Sequence, residues 1–489
     1  MKTINKLLVL LLPLLILNIC GCTDDFDTMN TNPNSPVEVP GSNVFGAAIM
    51  NSSSQLFGER IGIYYTGTWS GHHSAIGLGD YEYRVDINNN QWQGLYIVAA
   101  NFVTAMEIAE KEENNNLYAA ALTMKVYVMH KISDMWGPIP YSQAFKLAKE
   151  GIMYPEYDKE SVVYDNIFAD LSEAVSKFNA NGKPIGPGDI LFNGNIDKWI
   201  RFANSLRLRA AIRISNVDQA KATSIISAVA NSPLMTELSQ NAYHYWPGDD
   251  QRNEPWFVRL GRTGTQVKTD QYRMNSVMID LLKELNDPRL PVYADKNERG
   301  IYNGYRHGPN QRTDTMNFAI NVSHIANRWM NAKNGFSPYM MAAETHFNLA
   351  EAYARNMIPG NAKQAYENGI RLAMQDNGIA QSAIDAYLAQ PLVAWDGGGI
   401  PNLTKIYQQK WISLFKQGVE AWAENRRTDV PRQTGVEPNY SGTHNRPPFR
   451  MSWSDTELSL NPNAPPAGVT ITDIFYGTQM WWDKRTGVK

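Results

Sequence analysis

The chain is 489 residues long and carries 45 basic against 48 acidic side chains, a formal net charge of −3, so no basic surface points to nucleic acid as a partner. Charged residues are only 19% of the chain and aromatic residues 11%, a balance that suits neutral polar ligands. Length alone would allow about three domains, but no biased linker after residue 44 marks a boundary, and one large unit over 44–489 is expected.

At the amino terminus Lys2 and Lys6 precede an apolar run over 7–19, too short to span a bilayer comfortably and shaped like a secretory leader. The run ends in Ile19-Cys20-Gly21-Cys22, which resembles a bacterial lipobox. Cys22 is the better lipidation candidate because the small residue Gly21 precedes it. That reading gives a signal peptide over 1–21 and a lipidated tether over 22–43, held to a membrane by acyl chains rather than by a spanning helix. The acidic Thr23-Asp24-Asp25 is similar to the export signal that sends lipoproteins of Bacteroidota to the cell surface. About twenty extended residues would let the body stand roughly 65 Å off the membrane. No cysteine remains after Cys22, so stability is expected to come from a buried core rather than from disulfides.

From 64 to 92 the chain is rich in aromatics, Gly, Asn and Asp, and lacks helical spacing until Trp92 opens an amphipathic run towards Ala109. Aromatic rings on loops offer a flat face to sugar rings, and neighbouring Asp, Asn and Arg supply partners for hydroxyls. Trp69, Asp80, Tyr81, Tyr83, Arg84 and Trp92 are therefore the first ligand-binding candidates. Helical patterns follow over 117–132, at Ala174 and Phe178, and at Trp199, Phe202, Ala203 and Leu206. Loop aromatics return at Tyr243, Tyr245, Trp246 and Trp256, then at Tyr302, Tyr305 and Trp329, the last three joining the candidate list.

The strongest repeat signal lies at 343–374. Leu349-Ala350, Tyr353, Ala362 and Tyr366 fall where a tetratricopeptide repeat places its signature residues, and Pro359-Gly360 separates two helices. Small residues at Ala350, Ala362 and Gly369 should let those helices close tightly, although His346 stands where the repeat has an aromatic. One hairpin cannot bury its apolar face alone, so stacked neighbours are expected, giving a mostly α, tetratricopeptide-like solenoid with long loop-rich insertions. Residues 410–427 read as one helix with an apolar stripe at Trp411, Leu414, Phe415 and Trp422, ending in Arg426-Arg427.

Catalytic constellations are sparse. His72-His73 lacks a metalloprotease context, the Asp86-x-Asn88-x-Asn90 run lacks the glycine and glutamate of a calcium loop, and neither a nucleophile elbow nor a phosphate loop occurs. Asp249, Asp250 and Glu254 are the obvious suspects for a glycosidase pair, though adjacent acids in such a loop more often form hydrogen bonds than catalyse. Neither a metal nor an organic cofactor is called for.

The pattern from Trp411 to Arg427, with Asn32-Pro33-Asn34, residues 134–141, Asp287-Pro288-Arg289 and Trp481-Trp482-Asp483, resembles the SusD/RagB family of outer-membrane lipoproteins, closest to its SusD-like subgroup. The resemblance implies four tetratricopeptide-like hairpins with a loop-rich ligand-binding half. It also implies a non-enzymatic lid that captures an oligosaccharide, or in some members a peptide, and passes it to a SusC-like TonB-dependent transporter. A secreted glycoside hydrolase and a scaffold that binds only its protein partner are the alternatives.

Overall fold

The computed structural model describes residues 39–76, 84–264, 266–308, 313–434, 445–465 and 478–488. Cys22, Asp80, Tyr81 and Tyr83 lie outside the described residues. Residues 1–40 form one unit, of which only Val39 and Pro40 are described, and residues 41–489 form another.

The helical framework of the larger unit includes α1 (Gly41–Phe57), α2 (Val85–Lys111), α3 (Asn115–Trp136), α4 (Glu160–Lys177), α5 (Ile196–Ile214), α6 (Gln219–Val229), α7 (Ala342–Ala354), α8 (Ala362–Asp376), α9 (Asn402–Ser413), α10 (Gly418–Thr428) and the short α11 (Asp455–Leu460). Neighbours in sequence pack as pairs, α2 on α3, α5 on α6 and α7 on α8, and α4 bridges α3 to α5. Short polar side chains fix where several helices start by satisfying backbone N–H groups that have no partner within the helix. Asn114 accepts from Leu117 N at 3.0 Å, Asn195 from Lys198 N at 3.0 Å, Asp218 from Lys221 N at 3.0 Å and Asn361 from Gln364 N at 2.9 Å.

The α7–α8 hairpin is the repeat read from the sequence. Ala350 is fully buried in the seam, and a Cβ added to Gly369 would fall 2.6 Å from the Phe347 ring, so glycine is required for that approach. Six short strands pair in three antiparallel ribbons: β1 (His73–Ala75) with β5 (Tyr272–Met274), β2 (Ala242–Tyr245) with β6 (Phe336–Met340), and β3 (Arg262–Thr263) with β4 (Gln266–Val267). Five of the six lie in the long insertion between α6 and α7.

Two expectations change. The stretch over 64–75 is not an open loop: a π-helix (Glu59–Tyr65) runs into a helical turn (Thr66–Trp69) and then into β1. The single helix expected over 410–427 is two, because Lys416 adopts a left-handed φ of 71° between α9 and α10. The break lets Gly418 press on Thr66, where any Cβ would lie 2.5 Å from the threonine hydroxyl, and it turns Trp411, Leu414, Phe415 and Trp422 into one core, all fully buried.

Charge is sealed where α3, α5, α7, α9 and α10 converge. Arg209 forks onto Glu344 with two bonds of 2.6 Å, and Arg213 reaches Glu424 at 2.6 Å, Asp134 at 3.3 Å and Glu420. Lys131 also engages Glu420, Lys410 meets Glu424 at 3.0 Å, and Arg427 forks onto Glu351 at 2.6 and 2.7 Å. Five cations (Lys131, Arg209, Arg213, Lys410, Arg427) thus face five carboxylates (Asp134, Glu344, Glu351, Glu420, Glu424), with no side chain more than 5% exposed. Facing arginines and lysines outweigh burial and hold the Glu420 and Glu424 carboxyls below the usual range.

Removing one member strands a partner, so Glu420→Ala, which leaves Lys131 without its carboxylate and takes one of three from Arg213, should cost about 3 kcal/mol or more of stability. Chemical denaturation measures this, and an unchanged midpoint would show the network to be dispensable.

Buried histidines set an acid limit. His72 donates to Trp411 O at 2.9 Å and His73 to Ile63 O at 2.9 Å, and burial lowers their pKa to about 3 and about 4. Burial likewise lowers His130 and His244 to about 4. The unfolded chain takes up these protons near the ordinary value of about 6.5 while the fold refuses them, so stability is lost as pH falls from about 6.5 towards 4. Melting midpoints should therefore decline across that window, and a flat profile would contradict it.

Candidate ligand-binding groove

The first turns of α2 separate a buried from a solvent face by helical spacing. Ile87, Asn88, Gln91, Trp92 and Leu95 point inward. Asn88 is pinned from inside, its Oδ1 accepting from Trp136 Nε1 at 3.3 Å. Asp86, Asn89, Asn90, Gln93 and Ile97 point outward, and Ile97 is 52% exposed. The residues from Ser454 into α11 lie along that outer face, tethered where Asp455 N donates to Asn89 Oδ1 at 2.9 Å.

Between them opens a cavity of about 610 Å³, lined by Asn89, Asn90, Trp92, Gln93, Tyr96 and Glu457 among others. Its size suits a small-molecule cleft. Trp92 is 5% exposed at the cavity wall, lying parallel to Tyr157 at 6.3 Å and edge-on to Trp136 at 5.4 Å. Half-buried Tyr96 packs 4.9 Å from Trp92 and donates its hydroxyl to Pro140 O at 2.9 Å. Burial raises the Tyr96 and Tyr157 phenols, so both stay protonated at physiological pH. Across the cleft Glu457 Oε1 accepts from Asn461 at 2.8 Å, which orients a carboxylate among the amides. The groove therefore offers an apolar aromatic wall and a rim of amide and carboxylate groups.

A second, more polar cavity of about 270 Å³ flanks the same helix end, lined by Arg60, Tyr64, Arg84, Arg259 and Tyr272 among others. Arg259 lies 2.8 Å from Glu59, which also accepts from the Tyr272 hydroxyl at 3.0 Å. Arg84 and Asp86, 3.4 Å apart, stand between the two cavities.

Of the candidates read from the sequence that lie among the described residues, Trp92 and Arg84 line these cavities, and Trp69, Tyr302, Tyr305 and Trp329 do not. Trp69 is fully buried in its helical turn, 4.9 Å from Trp422 and 4.8 Å from Tyr65, and is a core residue rather than a platform. Trp329 sits on a helical turn (Asn327–Met330), 3% exposed, donating to Val292 O at 3.0 Å and stacked on Tyr293 at 5.4 Å. Tyr305 is 3% exposed, and its backbone pairs with residues 274 and 276. Tyr302 keeps part of its ring accessible under Lys296 but lines neither cavity. Asp80, Tyr81 and Tyr83 fall outside the described residues.

Sequence reading passed over Tyr96, Asn89, Asn90, Gln93 and Glu457. The Trp92-x-x-x-Tyr96 spacing, with amides at the intervening and preceding outer positions, was the available signal for the first four; Glu457 had none. Two of the three carboxylates suspected of catalysis have other tasks. Asp249 holds Arg252 at 2.8 Å, while Glu254 pairs with Lys416 at 3.0 Å and caps a helix (Pro255–Leu260) through Phe257 N at 2.8 Å.

The profile of a SusD-like family, described as starch-binding and associating with the outer membrane, matches residues 33–453. No curated protein matches the chain by sequence. Among solved structures it is similar to a chitin-binding protein, at 25% identity and a TM-score of 0.77 over 91% of this chain and 100% of that one. A SusD homologue from Bacteroides uniformis matches at 25% identity and a TM-score of 0.75 over 90% and 99% of the two chains. A chitin-binding SusD homologue from Flavobacterium johnsoniae matches at 25% identity and a TM-score of 0.71 over 91% and 97%.

Proposed function

The chain belongs to the SusD-like family of carbohydrate-binding, non-catalytic proteins, and on that premise we propose that it captures an oligosaccharide in the groove beside α2. The observation that carries the reading is the cleft of about 610 Å³ in which Trp92 and Tyr96 stand beside Asn89, Asn90, Gln93 and Glu457. A sugar ring presents an apolar face bounded by hydroxyls, each both donor and acceptor. Aromatic surface covers the face, while amides and a carboxylate pair the hydroxyls.

Chitin-binding relatives and a family described as starch-binding make neutral glucan and N-acetylglucosamine chains the first ligands to try. Cys22 would carry the lipid that holds the protein at the outer membrane, on the cell-surface side. The captured chain would pass to a SusC-like TonB-dependent transporter for uptake.

Tyr96→Ala and Gln93→Ala each remove a groove contact. Each should cost at least about 1 kcal/mol of glycan affinity if it touches the sugar, with Gln93→Ala leaving the melting midpoint in place. Affinity electrophoresis in starch and soluble chitin gels measures this, and wild-type retardation of both variants would place capture elsewhere.

Cys22→Ala should release the protein from membranes, since no helix among the described residues is long and apolar enough to cross one. Fractionation of cells lacking the transporter checks it, and persistent membrane retention of that variant would refute lipidation at this cysteine.

A further inference from the structure

A third cavity, of about 530 Å³, opens on other elements: the amino end of α5, strand β2 and the carboxyl end of α8. Its wall carries Tyr245, which at 63% exposure is among the most solvent-open large side chains of the described residues. The ring is nonetheless held in place. It meets Tyr243 edge-on at 6.1 Å, and Tyr243 stacks on Phe336 at 4.7 Å. Behind it the Asp376 carboxylate is mostly buried and held by three side chains, accepting from the Tyr243 hydroxyl at 2.9 Å, Arg328 at 3.1 Å and Asn241 at 3.3 Å.

What remains open towards the cavity is an amide, a hydroxyl and an ammonium, each able to donate. Asn193 and Ser239 are exposed at the rim, and Lys198, half-buried, makes no ion pair among the described residues. An ordered ring with one bare face, beside an amide, a hydroxyl and an ammonium, matches the apolar face and the oxygen lone pairs of a sugar. The one acid in the lining, Asp376, is mostly buried and already paired with Arg328, which disfavours a peptide amine or a basic side chain.

We propose that this cleft is a second carbohydrate site, in which a sugar residue stacks on Tyr245 while its oxygens accept from Asn193, Ser239 and Lys198. The proposal rests on the glycan-binding reading but not on the groove beside α2, with which it shares no lining residue.

The test compares wild type, Tyr245→Ala, Lys198→Ala, Tyr96→Ala and the Tyr245–Tyr96 double variant in affinity gels of starch, soluble chitin, xylan and pectin. Tyr245 is exposed enough that its loss should leave the melting midpoint unchanged. The expected result is at least threefold weaker retardation by Tyr245→Ala on the polysaccharide that wild type binds, a smaller loss for Lys198→Ala, and a further loss in the double variant. Wild-type retardation of Tyr245→Ala with a defect in Tyr96→Ala would overturn this site and keep the groove. The opposite pattern would keep this site and overturn the groove. Wild type retarded by none of the four polysaccharides would overturn both. Loss of a co-purifying membrane protein from Tyr245→Ala, with retardation intact, would make this face a protein contact and end the proposal.

Discussion

Ten charged side chains, five of each sign, are shut away from water where five helices meet, and the placement of those helices depends on their pairing. An isolated ion in such a place would cost several kcal/mol, so the arrangement is tolerated only while every arginine and lysine has its carboxylate. The partners come from far apart in the chain: Arg213 on α5 binds Asp134 on α3 and Glu424 on α10. A slip of one helix along another would strand charges on both. Apolar packing alone would accept such a slip more readily, since hydrophobic contacts are not directional. The network therefore acts as a register lock for the solenoid, and the paired Arg426-Arg427 near the end of α10 belong to that lock. Arg427 forks onto Glu351, while Arg426 donates to the carbonyls of Asp134 and Phe449 and lies 3.5 Å over the Trp422 ring.

The lock bears on the surface through α3 and α2. Trp136, the last residue of α3, donates to Asn88 of α2 and to Ser452 O, fixing the helix whose outer face lines the groove against the segment that leads into α11. Trp92 of that helix lies edge-on to Trp136 and parallel to Tyr157, so the aromatic wall of the groove extends the core into solvent. A wall ordered before ligand arrives loses little entropy on binding, which supports the proposed capture of glycan there. Rigid aromatic surface with hydrogen-bonding groups at its rim is what a capture protein without catalysis requires.

Much of the fold was legible because local rules were strong. The α7–α8 hairpin, with Ala350 and Gly369 in its seam, follows from the spacing of small and apolar residues, and the start of α8 follows from its Asn361 cap. The site was less legible. Trp69 and Trp329 sit in stretches without long-range periodicity, so they read as loop aromatics, yet single helical turns carry both into the core. A four-residue helix leaves no periodic trace, and one tryptophan looks the same in sequence whether it faces water or Trp422. Trp92 was read as the start of an amphipathic run, whereas α2 already begins at Val85 and carries the preceding amides as helical residues; Tyr96 was passed over because the same periodicity marks it as core.

By itself the sequence determined the family, the dominance of helix, the repeat hairpin and the absence of any cysteine after Cys22 from which a disulfide could form, because each is written in residue type and short-range spacing. Tertiary structure alone decided which aromatics remain accessible, that the chain breaks at Lys416, and that glutamates and arginines scattered from Lys131 to Arg427 meet in one dry cluster. Those outcomes depend on contacts between residues up to several hundred positions apart. Burial and ion pairing are properties of the neighbours that folding supplies, and no local pattern in the chain records them.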